Sequence, residues 1–156
     1  MMDSKYTEVM DEVFCKVLET QAFLFPERTP AAELPKQSGS MVCTTMEFSG
    51  STGHKGEVEF YAPETMCREI AANSLGVDPD ADEAMEMAMD SLKEMLNMVC
   101  GNFLTELAGH DAVFDITVPN AAVMTNEEWE AALTKPDALC YCADDYAIVC
   151  ILKMQE

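Results

Sequence analysis

Asp90, Glu94 and Asn97 follow one another at spacings of four and three residues in the stretch DSLKEMLNMVCG. On a helix that spacing sets three side chains on one face, about one turn apart. A carboxylate can pair with a cation, and a carboxamide offers both an acceptor and donors. Such a stripe is a polar face that a partner could approach. Gly101 continues it and removes a side chain where a partner would approach. Asn and Gly are poor helix formers, so their place in mid-helix calls for a reason. The bland alternative is a solvated face with an incidental Asn and a Gly used for close packing.

Other signature chemistry is absent. The chain has no G-x-x-x-x-G-K-[ST], no G-x-G-x-x-G, no H-E-x-x-H and no G-x-S-x-G. Its two histidines, His54 and His110, fall in predicted loops and leave little for a Ser/His or Cys/His nucleophile. Seven cysteines are scattered through apolar patterns without a C-x-x-C, and Cys140-x-Cys142 has no second pair at zinc-finger spacing. They read as reduced thiols filling a core, with neither disulfide nor resident metal expected.

The long helix that must carry the stripe runs from Asp82 to about Leu107, free of Pro and acidic in its first turns. On a wheel of about 100° per residue, Met85, Met89, Leu92, Leu96, Val99 and Phe103 share one face. Glu83, Glu86, Asp90, Glu94, Asn97 and Gly101 share the other. Ahead of it, Ser4 or Asp3 can cap a helix reaching about Phe25, and Pro26, Pro30 and Pro35 mark an irregular connector. Met41–Phe48 and Glu57–Tyr61 read as a hairpin around SGSTGHKG. Pro63 suits the first turn of a helix ending near Gly76, and VDPDAD is the next break. Beyond Gly109, Val113–Val118 alternates as a strand up to Pro119, and Thr125 with Glu128 forms a capping box for a helix through Leu133. A last hairpin joins Ala138–Cys142 to Tyr146–Lys153 through Asp144–Asp145.

This order predicts one α+β domain over residues 1–156, a mostly antiparallel sheet with two long helices packed on it. It also admits a loose internal duplication. Tyr146–Leu152 is apolar without alternation, so both its faces need cover. A second subunit meeting it across a two-fold axis is the simplest remedy.

The segment from Asp90 through Glu94, Asn97 and Gly101, followed by FDITVP up to Pro119, resembles the CheC/CheX family of chemotaxis phosphatases. Their signature is Asp or Ser, three residues, Glu, two residues, Asn, a long gap and Pro. E-x-x-N occurs once here, and the first helix around Glu8 and Glu12 has no Asn. That is similar to the CheX branch. The resemblance implies a homodimer with one site per subunit, and hydrolysis of the aspartyl phosphate on a CheY-like response-regulator receiver domain. It implies no cofactor of the chain's own, the receiver supplying Mg²⁺ and a lysine. Asn97 would fix a water in line with the phosphorus. Glu94 would pair with the receiver's lysine and set the register, and Asp90 would extend the docking surface or cap nearby backbone. Gly101 and Pro119 would support the site.

The bulk properties make nucleic acid and membrane surfaces poor partners. Asp and Glu number 29 against 9 Lys and Arg, a formal net charge of −20 in 156 residues. So acidic a body repels phosphate backbones and anionic lipid headgroups. No apolar run reaches membrane-spanning length and the amino terminus is polar, so a cytoplasmic protein is expected. Two alternatives stand beside the phosphatase. One is a non-catalytic module of the same fold that docks a receiver domain or another signalling protein. The other is an acidic oligomerisation protein with no site. A buried Asn97 would favour the last, and an exposed Asn97 beside Glu94 the others.

Overall fold

The computed structural model describes residues 4–37, 39–51 and 53–155. The elements are α1 (Ser4–Ala22), β1 (Glu27–Arg28), β2 (Met41–Gly50), β3 (Lys55–Pro63), α2 (Glu64–Leu75) and α3 (Asp82–Ala108). Then come β4 (Phe114–Ile116), β5 (Asn120–Met124), α4 (Asn126–Leu133), β6 (Ala138–Ala143) and β7 (Tyr146–Gln155). Among the described residues the strands form one seven-stranded sheet in the order β1-β6-β7-β3-β2-β4, with β5 also on β2. Every pairing in it is antiparallel. The predicted α+β class holds.

Helix ends follow local chemistry. The expected end of the first helix, Phe25, is three residues late. Phe23 takes a left-handed φ of 55°, and the Leu24 N–H turns back to the Leu18 carbonyl at 3.1 Å. Leu24 is thereby buried, while Phe23 and Phe25 stay outside. Of the two candidate caps at its start, Asp3 lies outside the described residues. Pro63 sits one position earlier than expected, as the N-cap of α2, and Gly76 closes that helix at φ 70°. The capping box at α4 forms as read: Thr125 Oγ1 accepts from the Glu128 N–H at 3.1 Å, and Glu128 Oε1 accepts from the Thr125 N–H at 3.3 Å. Asp144 and Asp145, both at positive φ, make the two-residue turn between β6 and β7. Thr52, in the loop between β2 and β3, is outside the described residues.

One face of the sheet carries α1 and α3, with α2 packed on α3. Between them lies the main core, in which Phe14 packs on Phe60 and Tyr141, with ring centroids 5.0 and 4.9 Å away. Leu92, Leu96, Val99 and Phe103 of α3 are fully buried in it. Met85 is not, contrary to the wheel: it is 52% exposed. The buried stripe instead widens to Ala84, Ala88, Met95, Cys100 and Leu104, because α1 and α2 cover the flanks of α3 that a single sheet contact would leave open.

The opposite face corrects the expected layering and the argument for a second subunit. Tyr61, Cys140, Val149 and Ile151 form a smaller core there with Ala132, Trp129, Leu133 and Leu34. Ile148, Cys150 and Leu152 of the same strand face the main core. Both faces of β7 are therefore covered by this chain itself, through α4 and the segment after α1. That segment is less irregular than its prolines suggest. It holds β1, paired with β6, and a one-turn 3₁₀ helix at Ala31–Glu33. The apolar strand supplies no case for a dimer.

The second correction concerns the edge beside α3. The strand expected over Val113–Val118 shortens to Phe114–Ile116, and a further strand, β5, follows Pro119. Both pair with β2: Ile116 opposes Phe48, and Asn120 opposes Thr45. Three residues, Thr117 to Pro119, thus face two, Met46 and Glu47, and the edge bulges. Pro119 has no N–H to give the ladder, which suits a bulge. Thr117 repairs the break, donating its N–H to the Glu47 carbonyl at 3.0 Å and accepting from the Glu47 N–H on Oγ1 at 2.9 Å. The buried Thr44 hydroxyl donates to the Asn120 carbonyl at 2.6 Å and fixes where pairing resumes.

Candidate active site

The bulge and α3 enclose an open cleft of about 440 Å³, lined by Asp90, Lys93, Glu94, Asn97, Ile116, Thr117, Val118 and Pro119. Four of the five residues singled out from sequence therefore meet in one place, though Pro119 is remote in the chain from the other three. Asp90, Glu94 and Asn97 are exposed, and Pro119 is half-buried. Exposure of Asn97 removes the reading in which its amide bonds to the chain's own sheet. Gly101, one turn beyond Asn97, lies outside the cleft lining. A Cβ built on Gly101 meets no atom within 4 Å. Close packing is thus not the reason for a glycine there.

Burial on the far side of the helix holds the stripe outward. With Leu92, Leu96 and Val99 at 0% exposure, α3 cannot rotate to hide Asn97 without pulling apolar side chains into water. Opposite, the doubled hydrogen bonding of Thr117 to Glu47 sets the bulge, and with it Pro119 and Val118. Val118 is 84% exposed at the lip.

Sequence reasoning gave no role to Lys93, Ile116, Thr117 or Val118, all of which line the cleft. Lys93 is the one basic residue in α3, a signal present in the sequence itself. Its Nζ stands 3.8 Å from Asp90 Oδ1. So exposed a pair contributes about 0–1 kcal/mol. Asp90 thus pairs along its own helix. Ile116, Thr117 and Val118 stood in the FDITVP stretch but read as plain strand, because a bulge is defined by the register of a partner strand.

The strongly perturbed groups lie elsewhere. Burial pushes the Cys67 and Cys100 thiols up to about 12. Burial and neighbouring carboxylates push Cys15 and Cys43 up to about 11. Thiols so hard to ionise are poor nucleophiles. On the far face, burial would raise the Glu59 carboxyl, but Lys153 Nζ at 2.7 Å, the Tyr61 hydroxyl and Lys135 outweigh it and hold it below the ordinary range. Among the described residues no three His, Cys, Asp or Glu side chains gather as metal ligands would. No described helix is long and apolar enough to cross a membrane.

A family model described as chemotaxis phosphatase CheX matches residues 42–143, from β2 to the end of β6. The chain belongs to the CheX family. It is accordingly a phosphatase of chemotaxis signalling, a hydrolase. No curated protein matches it. Solved structures share its fold over nearly the whole length. Chemotaxis protein CheX from Vibrio vulnificus is 19% identical with a TM-score of 0.69, covering 96% of each chain. A CheX–CheY–BeF₃–Mg²⁺ complex from Borrelia burgdorferi is 22% identical at 0.66, covering 97% of this chain and 98% of that one. A CheC-like protein from Shewanella sp. PV-4 is 18% identical at 0.67, covering 99% and 100%. The CheX match includes α3 and the bulge, so the cleft lies wholly inside the matched residues.

Proposed function

We propose that the cleft hydrolyses the aspartyl phosphate of a response-regulator receiver domain, with Asn97 and Glu94 as the working pair. The observation that carries this is an exposed amide and an exposed carboxylate one helical turn apart, beside an open cleft whose opposite wall holds Pro119. An acyl phosphate already has a good leaving group. The missing element is a water aligned with the phosphorus, and phosphoryl transfer is governed largely by such positioning. The Asn97 carbonyl oxygen can accept a hydrogen bond from that water while its NH₂ group donates one to a phosphoryl oxygen. Neither step transfers a proton to the enzyme. Glu94 pairs with a cation of the receiver, which fixes the approach of α3, and such a pair acts mostly on orientation and specificity. Mg²⁺ belongs on the partner's side. The Borrelia burgdorferi complex of a related fold contains CheY, BeF₃ and Mg²⁺ together. Residues 1–156 act as one domain in this reading, and a homodimer with one site per subunit belongs to it through the family resemblance.

The test is phosphate release from a phosphorylated receiver domain. Asn97→Ala should lower the stimulated rate by about a hundredfold or more, as loss of an aligning group does. Stability should change by under about 0.5 kcal/mol, since the residue is exposed. Wild-type turnover in Asn97→Ala would refute the assignment. A wild-type protein that binds the phosphorylated receiver without releasing phosphate would leave the docking module in its place.

A further inference from the structure

We propose that a second groove, on the other flank of α3, seats an apolar part of the same receiver domain and adds to its affinity. The inference rests on the reading of Glu94 and Asn97 given above. The groove is about 460 Å³ and runs between α3 and α2, with Ile70, Ser74, Met87, Asp90, Glu94 and Met98 among its lining. Asp90 and Glu94 line this groove and the active cleft alike. The ridge that carries them separates two hollows. A body lowered far enough onto that ridge to bring a phosphoryl group to Asn97 overhangs both.

Charge argues for what fills the groove. The substrate is an anion by virtue of its phosphate, and the enzyme carries −20. On α3 itself Asp82, Glu83, Glu86, Asp90, Glu94 and Glu106 outnumber a single Lys93. The net charge of this chain gives no long-range pull on a phosphorylated partner, and salt screens charges beyond about 8 Å in any case. A contact between Glu94 and one cation sets direction, but even a transient signalling interface buries roughly several hundred Å² on each partner. Burial of apolar surface adds to what such local pairs contribute. The groove offers some: Met87 is 42% exposed, Met98 is half-buried, and Ile70 is buried. Methionine is unbranched and polarizable and adapts to an irregular partner surface.

Steady-state phosphate release decides the matter, with receiver concentration varied for wild type, Met87→Glu, Met87→Gln, Met87→Leu and Asn97→Ala. Met87→Glu should raise KM by about fivefold or more while kcat stays within about twofold, the pattern of lost uniform binding. Met87→Gln, which adds no charge, should move KM the same way and decides the outcome if Met87→Glu melts early. Met87→Leu should match wild type. Asn97→Ala should lose kcat with little change in KM. An unchanged KM in Met87→Glu and Met87→Gln, beside an inactive Asn97→Ala, overturns the groove and leaves the active pair standing. An active Asn97→Ala overturns the active pair whatever Met87 does. A Met87→Glu protein that loses oligomer mass by light scattering but keeps its KM assigns the groove to a second copy of this chain, and that too overturns the proposal.

Discussion

Replacing Gly101 tests whether the open end of the stripe is kept open for a partner. Glycine in a helix interior costs about 0.8–1.0 kcal/mol relative to alanine. Nothing in the fold demands it. Gly53, Gly76 and Gly109 are the glycines at positive φ, so Gly101 needs no left-handed backbone. A Cβ there meets no atom within 4 Å, so no neighbour would clash. Gly101→Ala should therefore stabilise the protein by about the full helix increment, raising Tm by about 2–4 °C for a chain of this size. Gly101→Gln should keep most of that gain, because Gln is also a good helix former. Its side chain, however, projects about one turn beyond Asn97, where a receiver must approach. Its kcat/KM on a phosphorylated receiver should fall about tenfold or more, since small displacements of an aligned water are costly. Circular dichroism melts and phosphate release on the same preparations give both numbers. Wild-type kcat/KM in Gly101→Gln would refute the idea that the missing side chain serves a partner. A lower Tm in Gly101→Ala would show a contact that this helix geometry does not contain.

Glu94→Lys should leave the helix intact, as the two residues have similar propensity, but weaken receiver binding about tenfold by setting a like charge against the receiver's cation. A titration with unchanged affinity would remove Glu94 from docking. Glu59 gives a pH signature on the far face. Its carboxyl lies below the ordinary 4.5 in the folded chain, so its contribution is complete above that value and disappears as pH falls through the lower folded one. The stability gap between wild type and Glu59→Gln, measured by urea melts, should shrink as pH drops from about 7 to below about 4. A gap that is constant with pH would show that Lys153 and Lys135 do not hold the charged form.

The site was more legible than its frame. Asp90, Glu94 and Asn97 could be placed because helical periodicity depends on one segment alone, and the buried Leu92, Leu96, Val99 and Phe103 fix its phase. Met85 was misplaced because the buried stripe at the start of α3 runs through Ala84 and Ala88 instead. The wall opposite was not legible. Whether Thr117–Pro119 continues a strand or bulges depends on how Phe48 and Thr45 of β2 are paired, and that is a long-range fact. Asn120–Met124 carries no alternation of its own and becomes a strand only by lying along β2. The second layer was missed for a related reason. Only Ala132 of α4 is buried, so the helix looked too small to cover a sheet, yet with Trp129, Leu133 and Leu34 it closes the far face of β7.

A catalyst that aligns a water without exchanging protons must hold its amide still. An exposed side chain on a loop would lose that order to its own motion, at a cost of about 1–2 kcal/mol for each backbone residue that has to be fixed. Here the backbone of Asn97 lies inside a helix of 27 residues, with Leu96 and Val99 on either side of it fully buried. The position is fixed before any partner arrives. The other wall is fixed by different means, a proline without a ladder donor and a threonine bonded twice to Glu47. Both walls are fixed by backbone and hydroxyl groups that do not titrate. The acidity of the surface is tolerable on the same grounds. When turnover depends on the position of one neutral amide, the net charge of the chain acts on encounter and hardly on the step itself.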